Sequence, residues 1–131
     1  MYMISTRGTA FWELYYSFNL FTPDMWLINA DVLSFIRENF SILRNSKLIG
    51  ESPDTGSVYG YSAWENANGI VSVRNPANKK QSFSFILDRI IGVVEGAENM
   101  TCVTVLPYTE KPDERKYSYG DTVSVDLEPH E

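Results

Sequence analysis

The spacing of apolar side chains changes near residue 56 of this 131-residue chain, and the change limits the folds the chain can adopt. Between Pro23 and Arg44 apolar residues recur at steps of three and four, which is the period of an amphipathic α-helix. After Gly56 they tend to recur at every second position, which is typical of half-buried β-strands. The sequence therefore predicts one helix followed by a series of strands.

The predicted helix has clear signals at both ends. Thr22 can accept a hydrogen bond from a free backbone N–H, Pro23 suits the first helical position, and Asp24 complements the positive end of the helix dipole. Asn45 begins a polar segment that interrupts the helical pattern. We predict a single helix from Pro23 to Arg44.

Two segments after residue 56 predict paired or half-buried strands. Residues 57–75 contain two strand patterns joined by a turn, in which the dipeptide Asn68-Gly69 tolerates positive φ, so they predict a β-hairpin. In residues 81–87 the apolar and polar side chains alternate, with Phe83 on the apolar face. Both segments indicate strands with one face towards a core.

Residues 101–106 and 121–127 predict two further strands, with polar, proline-containing connections between them. Short strands at regular spacing are typical of an antiparallel sandwich or a partly closed barrel. The predicted fold class is mainly β: an antiparallel β-sandwich of five to seven strands preceded by one amphipathic helix.

The composition argues against several classes of partner. A net charge of −6 with 11 scattered basic residues gives no positive surface for a nucleic-acid backbone. No run of 18 apolar residues and no signal peptide occurs, so no membrane partner is expected, and the chain is either cytosolic or a piece of a longer exported protein. The single cysteine, Cys102, lies in an apolar run and is expected to be buried and inert.

Few residues offer catalytic chemistry. His130 is the only histidine and lies in the terminal segment, and no glycine-rich phosphate loop occurs, so neither a cofactor nor a metal is expected. Glu13 stands in an aromatic stretch where burial could raise its pKa, but its partner carboxylate cannot be identified, and a surface role is the alternative.

Aromatic side chains give a second possible site, for carbohydrate. Sugar rings stack on Trp and Tyr, and Trp64 stands near a loop, with Tyr59 and Tyr61 expected on the opposite strand face. The alternative is that Trp64 caps the core of the β-domain.

The order of several segments resembles a known family. RGTAFWELYYS, the helix segment, VYGYSAW and GIVSVRNPANKKQSFSFILDR resemble the carboxy-terminal end of bacterial α-galactosidase-like glycoside hydrolases, in which a (β/α)8 barrel precedes an antiparallel β-sandwich. The resemblance implies that residues 1–50 are the last βα unit of the barrel and that residues 51–131 are the sandwich. It also implies that no catalytic residue lies in this chain, because the catalytic carboxylates of that family lie on earlier barrel strands.

The same resemblance implies partners and a location. Trp12, Glu13 and Tyr15 could line the rim of the sugar pocket of the parent protein. The aromatic residues 10–21 would be covered by the catalytic barrel, and we expect self-association through them without it. An exported parent would place the chain in the periplasm or outside the cell.

Three functions stay open at this point. The first is a non-catalytic β-domain that braces the barrel and contributes to the carbohydrate cleft. The second is a free-standing carbohydrate-binding module, and the third is a structural or interaction domain without a sugar ligand. An independent enzyme is the least favoured interpretation.

Overall fold

The computed structural model describes residues 2–8, 15–105 and 111–131. Within these ranges the protein is a mixed α/β fold, in which helical segments precede seven short antiparallel strands in three small sheets that do not form a closed barrel. The predicted order of helix and strands is confirmed. The predicted class is corrected from mainly β to mixed α/β, because helices form much of the region before residue 44.

The helical region begins as predicted but ends differently. The described helices are α1 (Tyr2–Ser5), α2 (Pro23–Glu38) and α3 (Phe40–Leu43). The Thr22 hydroxyl accepts from the Met25 N–H at 3.3 Å, which confirms the predicted cap. The prediction of one continuous helix to Arg44 is wrong, because Asn39 leaves helical geometry and its side-chain amide donates to the Phe35 carbonyl at 2.8 Å.

The strands pair antiparallel throughout the described chain. The three-stranded sheet has the order β1–β2–β3, and β4 pairs with β7 and β5 with β6. Their bounds are β1 Lys47–Gly50, β2 Tyr59–Glu65, β3 Asn68–Arg74, β4 Gln81–Ile86, β5 Met100–Thr101, β6 Lys116–Tyr117 and β7 Thr122–Leu127.

The hairpin β2–β3 confirms the prediction for residues 57–75, but its turn lies earlier in the chain than the predicted Asn68-Gly69. Glu65 pairs with Asn68, so the turn residues are Asn66 and Ala67, and Asn66 has the positive φ of 57°. Gly69 lies inside β3 opposite Trp64. The strand predicted in residues 81–87 is confirmed, with Phe83 half-buried between exposed serines.

The strand predicted at residues 101–106 is mostly absent from the described residues. Only Thr101 belongs to a strand, residues 102–105 are irregular, and residue 106 lies outside the described ranges. Cys102, expected to be buried, is exposed. Alternating apolar residues form a strand only where a neighbouring strand can take up the backbone hydrogen bonds. The neighbour here, β6, pairs only with Met100 and Thr101, so the strand ends at Thr101.

Two apolar clusters lie on opposite faces of the three-stranded sheet. On one face Val32, Ile36 and Leu43 of the helices pack with Ala63 of β2. On the other face, the buried residues of the second cluster are Ile49, Leu87, Ile91, Val93, Ala97, Tyr117 and Val123. Because β1 pairs with β2, one sheet joins the predicted segments 1–50 and 51–131.

Candidate functional site

The residues predicted to contact carbohydrate do not all fall within the described chain. Trp12 and Glu13 lie outside the described residues, so their roles stay predictions. Tyr15, the third residue expected at the rim of a sugar pocket, is 86% exposed. Trp64, Tyr59 and Tyr61 all belong to β2.

Trp64 packs on the backbone of the protein. Its indole N–H donates to the Ser62 hydroxyl at 2.8 Å, and that hydroxyl donates to the Ile91 carbonyl at 3.0 Å. A Cβ added at Gly69 would overlap the indole ring, and one added at Gly92 would stand 3.2 Å from it. The indole therefore lies between two glycines at the edge of the second apolar cluster, which fits the alternative in which Trp64 caps the core.

Tyr59 and Tyr61 lie on the sheet face opposite to Trp64. Alternation along β2 places them on the side of Ala63, which packs against the helices, and both are half-buried. The structure therefore does not bring the two tyrosines together with Trp64 in one site.

Exposed apolar side chains lie on α2, on the residues before it and at the start of α3, and we call them together the helix surface. Its members are exposed by 38% to 86%: Tyr15, Phe18, Leu20, Met25, Trp26, Leu27, Ile28, Leu33 and Phe40. Leu27 is two positions before the buried Asn29, which places it about 200° around the helix axis from the packed stripe. The first two turns of α2 are therefore apolar on almost every side, while Asp31 and Glu38 make the Leu27 face mixed towards the end of the helix.

An aromatic cluster orders the start of the helix surface. The Tyr16 ring packs edge-on against Phe21, with ring centroids 4.6 Å apart, and Trp26 packs against Phe21 at the same separation. The Tyr16 hydroxyl donates to the side-chain carbonyl of the buried Asn29 at 2.6 Å. These contacts hold part of the predicted aromatic segment 10–21 on α2 and leave its remaining described apolar residues facing outwards.

A groove of about 670 Å³ lies between β1 and β4. Its lining includes Ile49, Phe83, Phe85 and Ile91, which belong to the second apolar cluster or pack against it. Its charged residues are Glu51 and Asp88, and both are acidic. The sequence offered no signal for this groove, because its lining comes from strands that are distant in the chain.

One hydrogen-bonded cluster on the surface contains acidic and aromatic groups. The Tyr117 hydroxyl donates to Asp113 at 2.6 Å, and this bond, followed by one from the Arg115 N–H, lowers the pKa of Asp113 below its ordinary value. The same bond raises the pKa of Tyr117. Although Cys102 is exposed as a residue, partial shielding of its thiol, with the negative charge of Asp113, raises the thiol pKa. A raised pKa disfavours the thiolate and hence nucleophilic chemistry.

Residues 2–8, 15–105 and 111–131 contain no group of three or more His, Cys, Asp or Glu side chains placed to hold a metal ion. No helix within these ranges has the length and apolar character needed to cross a membrane.

Comparison with known proteins gave no relative. No family model, no curated protein and no solved structure matches the chain.

Proposed function

We propose that this chain is a non-catalytic β-domain that braces the catalytic (β/α)8 barrel of a bacterial α-galactosidase-like glycoside hydrolase and contributes to its carbohydrate cleft. In this proposal residues 1–50 complete the barrel, and residues 51–131 form an antiparallel β-sandwich beside it. The site of contact is the helix surface.

The exposure of the helix surface is the observation that supports this function best. Leu27 is 65% exposed on a helix that buries Val32 and Ile36 on its other side. Ile28 lies one turn before Val32 and is still 52% exposed. Contiguous apolar surfaces of this kind are typical of protein interaction sites. The unbroken apolar run from Met25 to Ile28 takes up a full helical turn, although Asp31 and Glu38 are exposed on the same face as Leu27 further along α2.

The family resemblance supplies the kind of partner. The last βα unit of a (β/α)8 barrel packs its helix against neighbouring helices and its strand inside the barrel, so both are buried in the intact fold. Such burial fits the apolar character of residues 10–21 and of α2. The proposed domain has no catalytic role, and sugar contact by Trp12, Glu13 and Tyr15 is part of the same proposal.

The test compares one substitution in two forms of the protein. The first form is this chain alone, and the second joins it to the coding sequence that precedes it in its native gene. Leu27→Ala is expected to change the free energy of unfolding of the chain alone by less than about 0.5 kcal/mol, since the side chain is exposed there. In the joined protein the same substitution is expected to cost about 2 to 3 kcal/mol, which is typical of a buried leucine.

Ile90→Ala is the matched control, because Ile90 is 79% exposed but lies outside the helix surface. It is expected to have a small effect in both forms. Equal effects of Leu27→Ala in the two forms would contradict the proposal, as would a preceding sequence that does not encode a barrel. Denaturant unfolding followed by circular dichroism measures the difference.

A further inference from the structure

The groove between β1 and β4 has the backbone geometry of a strand-binding site. We propose that it binds an extended peptide segment of a partner protein, which adds as a strand between β1 and β4. The proposal rests on hydrogen-bonding groups in the two strands and is independent of the proposed glycoside hydrolase function.

The free edge of β1 carries backbone groups that point away from β2. The Glu51 N–H donates to the Val58 carbonyl at 3.2 Å, so Glu51 and Val58 form a hydrogen-bonded pair in the β1–β2 register. Hydrogen-bonded and non-bonded pairs alternate along an antiparallel ladder. Leu48 and Gly50 therefore direct their N–H and C=O groups away from β2, towards the groove they line.

The free edge of β4 is arranged in the same way. The Leu87 N–H donates to the Asp121 carbonyl at 2.9 Å, which continues the β4–β7 register. By the same alternation Ser82, Ser84 and Ile86 direct their backbone groups away from β7. The Ile86 carbonyl accepts from Asp88, and the remaining outward groups of these three residues have no backbone partner within the described chain.

The two edges run in opposite directions along the groove. At one end the Gln81 side chain, at the start of β4, donates to the Gly56 carbonyl at 2.9 Å, in the loop that follows β1. At the other end the Lys47 ammonium, at the start of β1, donates to the Arg89 carbonyl at 3.0 Å, just after β4. A strand placed between them can form one antiparallel and one parallel ladder, both of which occur in proteins.

The lining of the groove specifies the chemistry of the segment. Phe83 and Phe85 supply apolar surface between the two edges, so alternate side chains of the segment should be apolar. Glu51 follows the end of β1 and Asp88 follows the end of β4, so the two carboxylates lie at opposite ends of the groove. The Asp88 end already holds the Lys47 ammonium, and Asp88 accepts from the Ile90 N–H at 2.8 Å, so one basic residue at the Glu51 end of the segment gives the charge match. Strand addition to an exposed sheet edge is an established mode of peptide recognition.

The experiment uses a synthetic peptide of alternating valine and threonine with one terminal lysine to meet Glu51. NMR titration of the isotopically labelled chain should show saturable shifts, and hydrogen exchange should show slower exchange of the Leu48, Gly50, Ser82 and Ser84 amides. A peptide of the same composition with N-methyl groups on alternate amides is the ligand control, and it should bind at least tenfold more weakly.

Proline substitutions at the two strand edges supply a matched pair of protein variants. Ser84→Pro removes an outward N–H of β4 without removing a bond to β7, since proline is tolerated at strand edges. Ser124→Pro makes the same change directly opposite, on the outer edge of β7, and both variants lose the 2.8 Å bond between the two serine hydroxyls. Ser84→Pro is expected to weaken peptide binding at least fivefold, and Ser124→Pro to leave it unchanged.

Several outcomes would overturn the proposal. These are no saturable binding of the peptide, protection confined to amides outside β1 and β4, or equal losses in the two proline variants. Thermal melts of both variants establish that each is folded before binding is measured. Protection of the same amides that rises with protein concentration, without peptide, would assign the groove to a second copy of this chain and would also overturn the proposal.

Discussion

Asn75 gives the sharpest test of how the β-domain is held together. Its side chain is fully buried, and its amide donates to the carbonyls of Lys79 at 2.7 Å and Glu128 at 2.9 Å. Its side-chain carbonyl accepts from the Ala77 N–H at 3.0 Å and from the Gln81 amide at 2.7 Å. One side chain therefore joins the loop before β4 to the segment after β7.

The substitution Asn75→Asp keeps the size of the side chain and removes its donors. Loss of the two short donated bonds costs about 1 kcal/mol each, and burial of the new negative charge beside carbonyl oxygens costs about 2 kcal/mol more. The expected decrease in the free energy of unfolding is therefore about 4 kcal/mol at neutral pH. That is a large part of the 5–15 kcal/mol typical of a domain, and it should lower Tm by roughly 15 °C.

The pH dependence of the same variant provides a second measurement. Burial beside carbonyl oxygens should raise the pKa of the introduced carboxyl in the folded state, so the folded state binds a proton more readily than the unfolded state. The deficit should be full above the raised folded-state pKa and should shrink as pH falls towards the unfolded-state value. Urea unfolding at neutral and mildly acidic pH measures both effects.

Asn78→Asp is the matched control, since Asn78 lies in the same loop and is exposed. It should change the free energy of unfolding by less than about 0.5 kcal/mol. A loss below about 1 kcal/mol for Asn75→Asp, or an equal loss for the two variants, would refute this account of the buried amide.

Two further predictions test single contacts. Gly69→Ala should lower the free energy of unfolding by about 1 to 3 kcal/mol, because the new Cβ would overlap the Trp64 ring. The loss should be smaller when Trp64 is also replaced by leucine, and urea unfolding of the original protein, the two single variants and the double variant measures the difference. An equal loss with and without Trp64 would contradict the prediction. Tyr117→Phe should raise the pKa of Asp113 towards its ordinary value, because it removes the hydroxyl whose bond lowers that pKa. NMR titration of the carboxyl measures that pKa. A carboxyl whose pKa is lower in the folded state stabilises the protein above its unfolded-state pKa, and this stability is lost as pH falls through its folded-state pKa. Tyr117→Phe should therefore lose less stability on acidification than the original protein does. An unchanged pKa of Asp113 in the variant would rule out the assigned cause.

The sequence by itself determined the local elements whose signals lie within a few residues. Thr22 begins α2 because its hydroxyl is within reach of the Met25 N–H, a contact fixed by helical geometry alone. The alternation around Phe83 identified β4, since a period of two places its apolar residues on one face whatever the partner strand is. The hairpin β2–β3 was predictable because a short turn brings its strands together.

Only the tertiary structure decided which segments have neighbours. Residues 101–106 carry a strand pattern, yet the described residues 102–105 pair with no strand, and Cys102 is exposed as a consequence. The role of Trp64 was open in the sequence because it packs beside Gly92, and because its partner Ser62 donates to the Ile91 carbonyl, both in a loop that is distant in the chain. The groove between β1 and β4 could not be predicted from the sequence either. A strand edge is free when no other strand pairs with it in space, and the residue pattern of a single strand does not show which strands pair with it.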